Sequence, residues 1–526
     1  MILGSIISGC GMEAVQGRTD IEISSVTADS RKVTPGSLFI AVKGFTADGH
    51  RYIGKAVEAG AAAVIYEDAT MAAQYVPDIR PADAGSGKSG QDASIRTGTA
   101  SGDSPVFIQV KSSRYALAIA AANFYDNPSR KLTLVGITGT NGKTTTVTLL
   151  YRMFTSLGYS CGLLSTIANY VGDRRYEAAN TTSDPVTINS LLAQMVGSGC
   201  GYCFMEVSSI GLDQDRVAGL EFKAAIFSNL THDHLDYHRT FAEYLRCKKL
   251  FFDNLPKTAF AITNIDDRNG MVMVQNTKAQ VITYSCRSIA DHTCRVMEES
   301  FDGMQLKIDG HETWTGLIGM HNAYNILAIY STAVALGTEP QEALIALSRL
   351  QPAPGRLENL RGPHGLSVII DYAHTPDALE NVLKTLRDVA PSRTLICLFG
   401  CGGDRDRSKR PEMGHIAEKM ADRIIVTSDN SRTERTSDIM DNIRSGMTPA
   451  GRARSLFIED REQAIRTAIM TAPEGSTILL AGKGHETYQI IGTEKRHFDE
   501  KEIVTGIFGE MERMQNAGIS GNGRKN

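Results

Sequence analysis

Lys143 is followed by Thr144, Thr145 and Thr146 in the stretch "VGITGTNGKTTTVTLLYRMF" (135–154). An apolar strand pattern ends there in a Gly-rich turn, and a helical pattern begins. That arrangement suits a polyphosphate. Backbone N–H groups at the turn and helix N-terminus converge on an anion, and the helix dipole favours its charge. Gly139 and Gly142 permit close backbone approach. Lys143 offers a point charge to the outer phosphates, and Thr144 offers a hydroxyl to Mg²⁺. The spacing is unusual. The common loop reads G-x-x-x-x-G-K-[ST], and the position of its first glycine holds Ile137. The loop here is shorter: Gly139, two residues, then Gly142-Lys143-Thr144.

Two further groups follow strands. Glu206 lies near the C-terminal end of "YCFMEVSS", the end at which doubly wound sheets bind ligands. A carboxylate there suits Mg²⁺, and a structural salt bridge is the plain alternative. Histidines and aspartates crowd residues 232–238 in "THDHLDYH". Zinc would ask for a cysteine at ligand spacing, which is lacking, so Mg²⁺ is the more economical reading. Lys248 and Lys249 follow on a helix and, by themselves, read as a solvated basic face.

Other candidates lose their appeal on inspection. "GSGKS" (85–89) has no buried strand before it and no amphipathic helix after it. It lies in a Gly/Ser/Ala/Asp segment, about 81–104, that reads as a flexible surface insert. Cys200 and Cys203 form a C-x-x-C pair but run directly into "FMEV", so they read as small buried residues entering a strand. Nine thinly spread cysteines fit a reducing cytoplasm. The net charge is −4, with no basic block. Neither nucleic acid nor a membrane surface is an expected partner. The N-terminal "MILGSIISGC" lacks the basic region of a secretion signal, and no run approaches the ~18 apolar residues of a membrane span.

At roughly 100–200 residues per domain, 526 residues predict about three domains. In residues 1–130 "SLFIAV" reads as a strand and "YIGKAVEAGAAAVIY" as a helix then a strand. Residues 131–355 alternate strands ("LTLVGIT", "SCGLLST", "YCFMEVSS", "AAIFSNL", "FAITNID") with helices, the pattern of a doubly wound, mostly parallel sheet. A polar β-rich stretch follows at about 281–315, then a helix at "HNAYNILAIYSTAVALG". The turn-rich "LQPAPGRLE" (350–358) precedes a last α/β unit, 356–526, with strands "LSVIID", "TLICLFG", "RIIVTSD" and "STILLAG". The tail "NAGISGNGRKN" is expected to fray.

Taken in order, "GTNGKTT", "MEVSS", "SNLTHDHLDYH", "GMHNAYN", "PAPGRLE" and "DYAHTPDAL" resemble the motifs of the Mur ligase family, ATP-dependent amide-forming enzymes of bacterial cell-wall synthesis. The resemblance covers nearly the whole chain outside the insert. It implies an α/β protein of three domains: an N-terminal UDP-binding domain (1–130), a central P-loop ATPase-like domain (131–355) and a C-terminal Rossmann-like amino-acid domain (356–526). It implies ATP and Mg²⁺ as cofactors and a cytoplasmic monomer. Within the family, "VTADSRKVTPGSLFIAVKGFTADGHRYI", "EVSSIGLDQDRV", "FGCGGDRDRSKRPEMG", "SDNSRTE" and "LAGKGHETYQ" resemble the branch that adds the third stem-peptide residue. The implied substrates are UDP-N-acetylmuramoyl-L-Ala-D-Glu and meso-2,6-diaminopimelate.

Carried over by resemblance, the ATP site comprises Gly139, Thr140, Asn141, Gly142, Lys143, Thr144, Thr145, Asn322, Asn325, Arg356, Asp371 and His374. Thr144, Glu206, His234 and Lys248 serve Mg²⁺, with Lys248 carbamylated so that it acts as a long carboxylate. Lys143, Lys248, His234 and Glu206 form the catalytic set. Ser30, Thr181, Thr182, Ser208, Gln214 and Arg216 hold the UDP-sugar peptide. Arg405, Asp429, Asn430, Ser431, Arg432, Gly482 and Glu486 hold the diaminopimelate. The implied reaction phosphorylates the D-Glu side-chain carboxylate, and the amine then displaces phosphate from the acyl phosphate. The diaminopimelate enzymes typically read D-N-P-R where this chain has Asp429, Asn430, Ser431 and Arg432. Losing proline loses a fixed φ. Arg432 remains suited to a second carboxylate, which lysine lacks, although lysine stands as the alternative amine. A folylpolyglutamate synthetase shares the short loop but starts near the ATP domain. A P-loop switch has no use for "SDNSR" or "AGKGHE".

Overall fold

A computed structural model of the chain describes residues 1–44, 47–76, 97–98, 104–231 and 235–522. The chain forms two compact units, one of Met1–Gly136, Gly158–Ala225 and Asp253–Ala259, the other of Ile137–Leu157, Ile226–Phe252 and Phe260–Asn526.

The first unit opens with a six-stranded sheet. Its order is Ser25–Thr27, Ser37–Ile40, Ala63–Tyr66, Val106–Val110, Met12–Gln16 and Thr97–Gly98. The first four strands run parallel, and Met12–Gln16 runs antiparallel to Val106–Val110. The helix Ser113–Phe124 packs through Ala116, Leu117 and Ala120 onto Leu38, Ile40, Ile65 and Ile108. Alanines on its inner face let it lie close to the sheet. Ser112 caps it by accepting from Tyr115 N at 3.2 Å. Of the insert expected to be flexible, Thr97–Gly98 pairs in parallel with Val15–Gln16, and residues 81–96 and 99–103 lie outside the described residues. Two residues with free backbone groups suffice to extend an edge. The "GSGKS" decoy lies outside the described residues.

The same unit holds the parallel pair Cys161–Leu164 and Tyr202–Glu206. The helix Pro185–Gly197 starts on a Pro at its first position, and Asp184 accepts from Val186 N and Thr187 N at 3.1 Å each. Cys203 sits on its strand, fully buried, and burial pushes its thiol pKa well up. That suits the packing role expected of the C-x-x-C pair.

In the second unit, helix Lys143–Ser156 starts directly after Gly142. Phe260–Asn264, Gln280–Ser285 and His292–Ser300 run parallel, and Gly303–Ile308 and His311–Thr315 complete an antiparallel meander, matching the polar β-rich stretch. Helix Met320–Ala335 follows. The last sheet has the order Glu358–Arg361, Ser367–Asp371, Thr477–Ala481, Leu395–Phe399, Arg423–Val426 and Ser455–Phe457, parallel except at its first edge. Alternate residues feed two cores. Ile369, Cys397, Phe399 and Leu479 face one; Val368, Ile370, Leu398, Ile478 and Leu480 face the other. That is why these strands read as unbroken apolar runs. Of the tail expected to fray, residues 516–522 continue the helix Glu500–Asn522, because extending a helix anchored by buried Val504, Ile507 and Phe508 needs no new nucleus; residues 523–526 lie outside the described residues.

Candidate active site

The Gly-rich loop leaves the strand Thr133–Thr138 with two residues at positive φ, Gly139 (+150°) and Gly142 (+90°). Neither tolerates a side chain. A Cβ at Gly139 would run into Ser228 Oγ, and one at Gly142 into Asn325 Oδ1. The loop is stitched in place from below. Thr140 N donates to Asn229 O at 2.9 Å, and Asn141 N donates to Asn229 Oδ1 at 2.9 Å. Lys143 Nζ folds back to donate to Gly139 O (2.9 Å) and Thr140 O (2.8 Å). Lys248 is buried, 1% exposed, on the helix Phe241–Asp253. Its Nζ donates to Gly139 O at 2.8 Å and lies 4.7 Å from the centroid of the Tyr244 ring. The solvated basic face that the pair Lys248-Lys249 suggested is therefore wrong for Lys248. Every fourth residue of this helix, Tyr244, Lys248 and Phe252, turns inward.

A cleft lined by Asn141, Gly142, Thr145, Asn322, Asn325, Arg356 and Asp371 gathers the expected nucleotide residues. His321 and Asn381 line it too. Arg356 Nη2 donates to Thr144 Oγ1 at 3.2 Å, and its guanidinium lies over the Tyr372 ring, 4.8 Å from the centroid. Its Nε is buried without a partner among the described residues. Asp371 accepts from Leu357 N and Ala373 N, both at 2.8 Å; burial raises its pKa against the opposing pull of Arg356. His374 is in the same turn but outside that lining, its Nδ1 2.9 Å from Tyr372 O.

Asp377 was not foreseen. It starts the helix Pro376–Val389 and accepts from Asn141 Nδ2 (2.8 Å) and Thr231 Oγ1 (3.2 Å), so it grips the loop tip directly. Its place inside "DYAHTPDAL" was the available signal. The enclosed space is about 80 Å³, well under the roughly 300–1,000 Å³ usual for small-molecule sites. A nucleotide therefore requires this cleft to widen.

Burial pulls the pKa of His321 down to about 4 and that of His485 to about 3. Both folded values lie below the ordinary value of about 6.5, so both rings are neutral at pH 7. The stability this contributes is complete above about pH 6.5 and is lost as pH falls through the folded values. His321→Asn should flatten the loss of stability between pH 6.5 and 4. Urea midpoints measured across that range check it; an unchanged slope contradicts it.

The amine-side residues cluster around a buried lysine. Lys483 Nζ sits 3.6 Å from Asp429 Oδ1 and 3.5 Å from Glu486 Oε2, and donates to Asn430 Oδ1 at 3.2 Å. Asn430 Nδ2 donates to Glu486 Oε2 at 2.8 Å. Burial favours a raised pKa for Asp429, but Lys483 and Arg461 outweigh it and hold the group low. For Glu486 burial wins, with Asp429 adding to it, and the pKa rises. Arg432 adopts φ +50° and donates through Nη1 to Gly403 O at 2.9 Å. Among the described residues its Nε and Nη2 make no hydrogen bond, which leaves one guanidinium edge for a ligand. Gly482 N donates to Asp371 O at 3.0 Å, linking this pocket to the nucleotide cleft. Arg405 is exposed and, among the described residues, bonds only to the neighbouring Asp404 O, at 3.3 Å. Lys483 is the residue the motif reading passed over in "AGKGHE".

The remaining candidates other than His234 lie in the first unit. Glu206 Oε1 accepts from Thr166 N at 2.8 Å at the end of its strand. Thr166 Oγ1 donates to Thr181 Oγ1 at 3.1 Å. Thr182 Oγ1 donates to Glu206 O (2.9 Å) and accepts from Ser208 N (3.0 Å). Arg216 donates to Thr182 O at 2.6 Å and to Gln214 Oε1 at 2.8 Å. Gln214 and Arg216 line a cleft of about 180 Å³ with Lys43, Arg114, Asn180 and Asp184. Three cations around one cleft favour an anionic ligand, and Lys43 and Arg114 were not foreseen. Ser30, in the short turn Ser30–Lys32, is outside that lining. His234, with His232 and Asp233, lies outside the described residues. His238, the last of that cluster, is buried with its ring 5.3 Å from that of Tyr244.

A short Gly loop at a helix start, an Arg-Asp pair folded over it and a separate charge-balanced pocket make up a nucleotide-dependent ligase arrangement. Three family models match: Mur ligase family, catalytic domain, over 22–125; Mur ligase middle domain over 137–333; and Mur ligase, glutamate ligase domain, over 355–484. The chain belongs to the Mur ligase family. It is 46% identical to the UDP-N-acetylmuramoyl-L-alanyl-D-glutamate--2,6-diaminopimelate ligase of Cytophaga hutchinsonii, over 96% of this chain and 98% of that one. A solved structure of a ligase with the same name aligns with a TM-score of 0.63 and 29% identity, covering 93% of this chain and 95% of that one. The MurF ligase of Thermotoga maritima in complex with ADP shares the fold at a TM-score of 0.59 and 18% identity, over 87% and 93% of the two chains.

Proposed function

We propose that the chain joins an amino group of meso-2,6-diaminopimelate to the D-Glu side-chain carboxylate of UDP-N-acetylmuramoyl-L-Ala-D-Glu, consuming ATP and releasing ADP and phosphate. The near full-length likeness to the 2,6-diaminopimelate ligases carries this reading. The work divides along the chain: residues 1–130 for the UDP moiety, 131–355 for ATP and 356–526 for the amine. The setting is the cytoplasm; among the described residues no helix is long and apolar enough to cross a membrane.

Lys143 and the loop amides take the ATP phosphates, with Arg356 and Asp371 closing over the nucleotide. In the second unit the Thr144 hydroxyl and Lys248 as its carbamate, with His234, suit Mg²⁺, and in the first unit Glu206 offers a carboxylate suited to the same kind of ion. Bound there, the ion would neutralise charge that gathers on the transferring phosphoryl group. The D-Glu carboxylate attacks the γ-phosphorus and ADP leaves. The acyl phosphate so formed is a carbonyl electrophile that the amine can attack, and phosphate departs. Lys143 balances negative charge at that point. Lys43, Arg114 and Arg216 give the first unit's cleft the charge to hold a diphosphate. Arg432 takes the distal carboxylate of diaminopimelate, and Glu486 and Asp429 its ammonium.

An amino-acid panel with the UDP-muramoyl dipeptide tests the amine choice. Diaminopimelate should exceed lysine at least about 100-fold in kcat/KM, since lysine leaves the Arg432 edge without its carboxylate in a partly buried site. Equal turnover of lysine would remove the diaminopimelate claim and leave the ligase claim intact.

A further inference from the structure

The amine-recognition loop 428–432 lacks the proline that would stiffen it, and the strand Tyr488–Ile491 is bound along its length. Gln489 is buried, 8% exposed, and its side-chain amide donates both hydrogens to the loop: to Ser428 Oγ at 2.8 Å and to Asp429 O at 3.0 Å. Next to it, Ile490 N donates to Asn430 Oδ1 at 2.9 Å. Beyond, Arg432 N donates to Ile490 O at 3.2 Å, and Gly492 N donates to Arg432 O at 2.7 Å. Five bonds therefore reach four of the loop's five residues, Ser428, Asp429, Asn430 and Arg432.

The last two bracket Arg432 itself, whose left-handed backbone (φ +50°) is unfavourable for a side chain of that size. Such a conformation persists only where its surroundings over-determine it. It also aims the guanidinium at Gly403 O. Ser431 is buried, 2% exposed, and its N–H donates to nothing among the described residues. A proline there would forfeit no hydrogen bond.

We propose that Gln489, through the strand Tyr488–Ile491, is the positioning residue that locks loop 428–432 in its diaminopimelate-selective shape, supplying the restraint that proline at 431 would otherwise give. The inference rests on the function proposed above. Gln489 touches no reacting atom; it acts through Asp429, Asn430 and Arg432.

The test compares wild type, Gln489→Leu and Gln489→Leu/Ser431→Pro in steady-state kinetics with meso-diaminopimelate and L-lysine. Losing two buried hydrogen bonds should raise the KM for diaminopimelate about tenfold or more. The kcat should stay within about threefold, the KM for ATP within about twofold, and the preference over lysine should shrink. Adding Ser431→Pro should recover at least about half of the lost KM on a logarithmic scale. An unchanged KM for diaminopimelate overturns the proposal. So does a parallel rise in the KM for ATP, which marks a general packing defect. Full failure of the proline to restore either KM or selectivity also overturns it. If wild type turns over no diaminopimelate, the function reading fails first and separately.

Discussion

Methionine in place of Lys143 should lower kcat about 10³-fold and leave the thermal midpoint within a few degrees. The reasoning starts from where the ammonium now sits. It caps Gly139 O and Thr140 O, two carbonyls of its own loop. Those bonds are local, and water can replace them, so folding loses little. The catalytic loss is larger because, in the mechanism proposed above, the charge meets phosphate oxygens that become more negative during transfer. Removing one preorganised donor at such a point costs about 10²–10³-fold, and a full positive charge belongs at the upper end. The loss should fall mainly on kcat, since the interaction strengthens toward the transition state. Lys143→Arg should rescue poorly: a planar fork cannot occupy the space of a compact ammonium between two carbonyls. Phosphate release and trapping of the acyl phosphate with hydroxylamine measure the effect. A loss under about tenfold, or one confined to the KM for ATP, would reduce Lys143 to a binding group.

How far the site was legible depends on the range of the interaction. The strand ends carrying Gly139, Glu206 and Asp371 were readable because apolar runs and Gly turns are local signals. The motifs grouped Asn322, Asn325 and Arg356 with the loop, and all three line one cleft with Asn141 and Gly142. What spacing could not give was contact between remote segments. Asp377 reaches Asn141 across 236 positions. Gln489 reaches Asp429 across 60. Lys483 received no role from the motif, yet it is fully buried among Asp429, Asn430 and Glu486. A charge is buried only with partners, and its partners lay in another loop. Lys248 misled for a related reason: with its neighbour Lys249, which is only half-buried, the pair looked like one basic face. Helical geometry separates adjacent residues by about 100°, and only the packing of Tyr244 and Phe252 says which of the two turns inward.

Lys248→Ala should abolish all but about 1% of ligase activity, and short-chain carboxylic acids should restore part of it. Lys248 Nζ is buried 2.8 Å from Gly139 O and 3.5 Å from Thr138 Oγ1, against the face of Tyr244. A plain ammonium there adds positive charge beneath a loop that already has Lys143. Carbamylation reverses the sign, yet it keeps one N–H on the same nitrogen. The bond to Gly139 O can therefore survive the modification while two new oxygens extend beyond it. A hard anionic oxygen at that spot would suit a Mg²⁺ ion better than any amine can. Truncation to alanine removes the anion and leaves a cavity the length of the side chain. Acetate or propionate fits that space and returns a carboxylate, so rescue should rise with acid concentration and saturate. Lys248→Glu should restore less, because glutamate is shorter than carbamylated lysine and the surrounding helix fixes its Cα. The unmodified-lysine alternative makes a different forecast: short-chain amines would rescue and acids would not. Activity of the alanine variant followed against acetate, propionate and ethylamine separates the two, with intact-mass analysis of the wild-type peptide as the independent check on the modification. Rescue by ethylamine alone would sink the carbamate and leave Lys248 as a cation that anchors the loop.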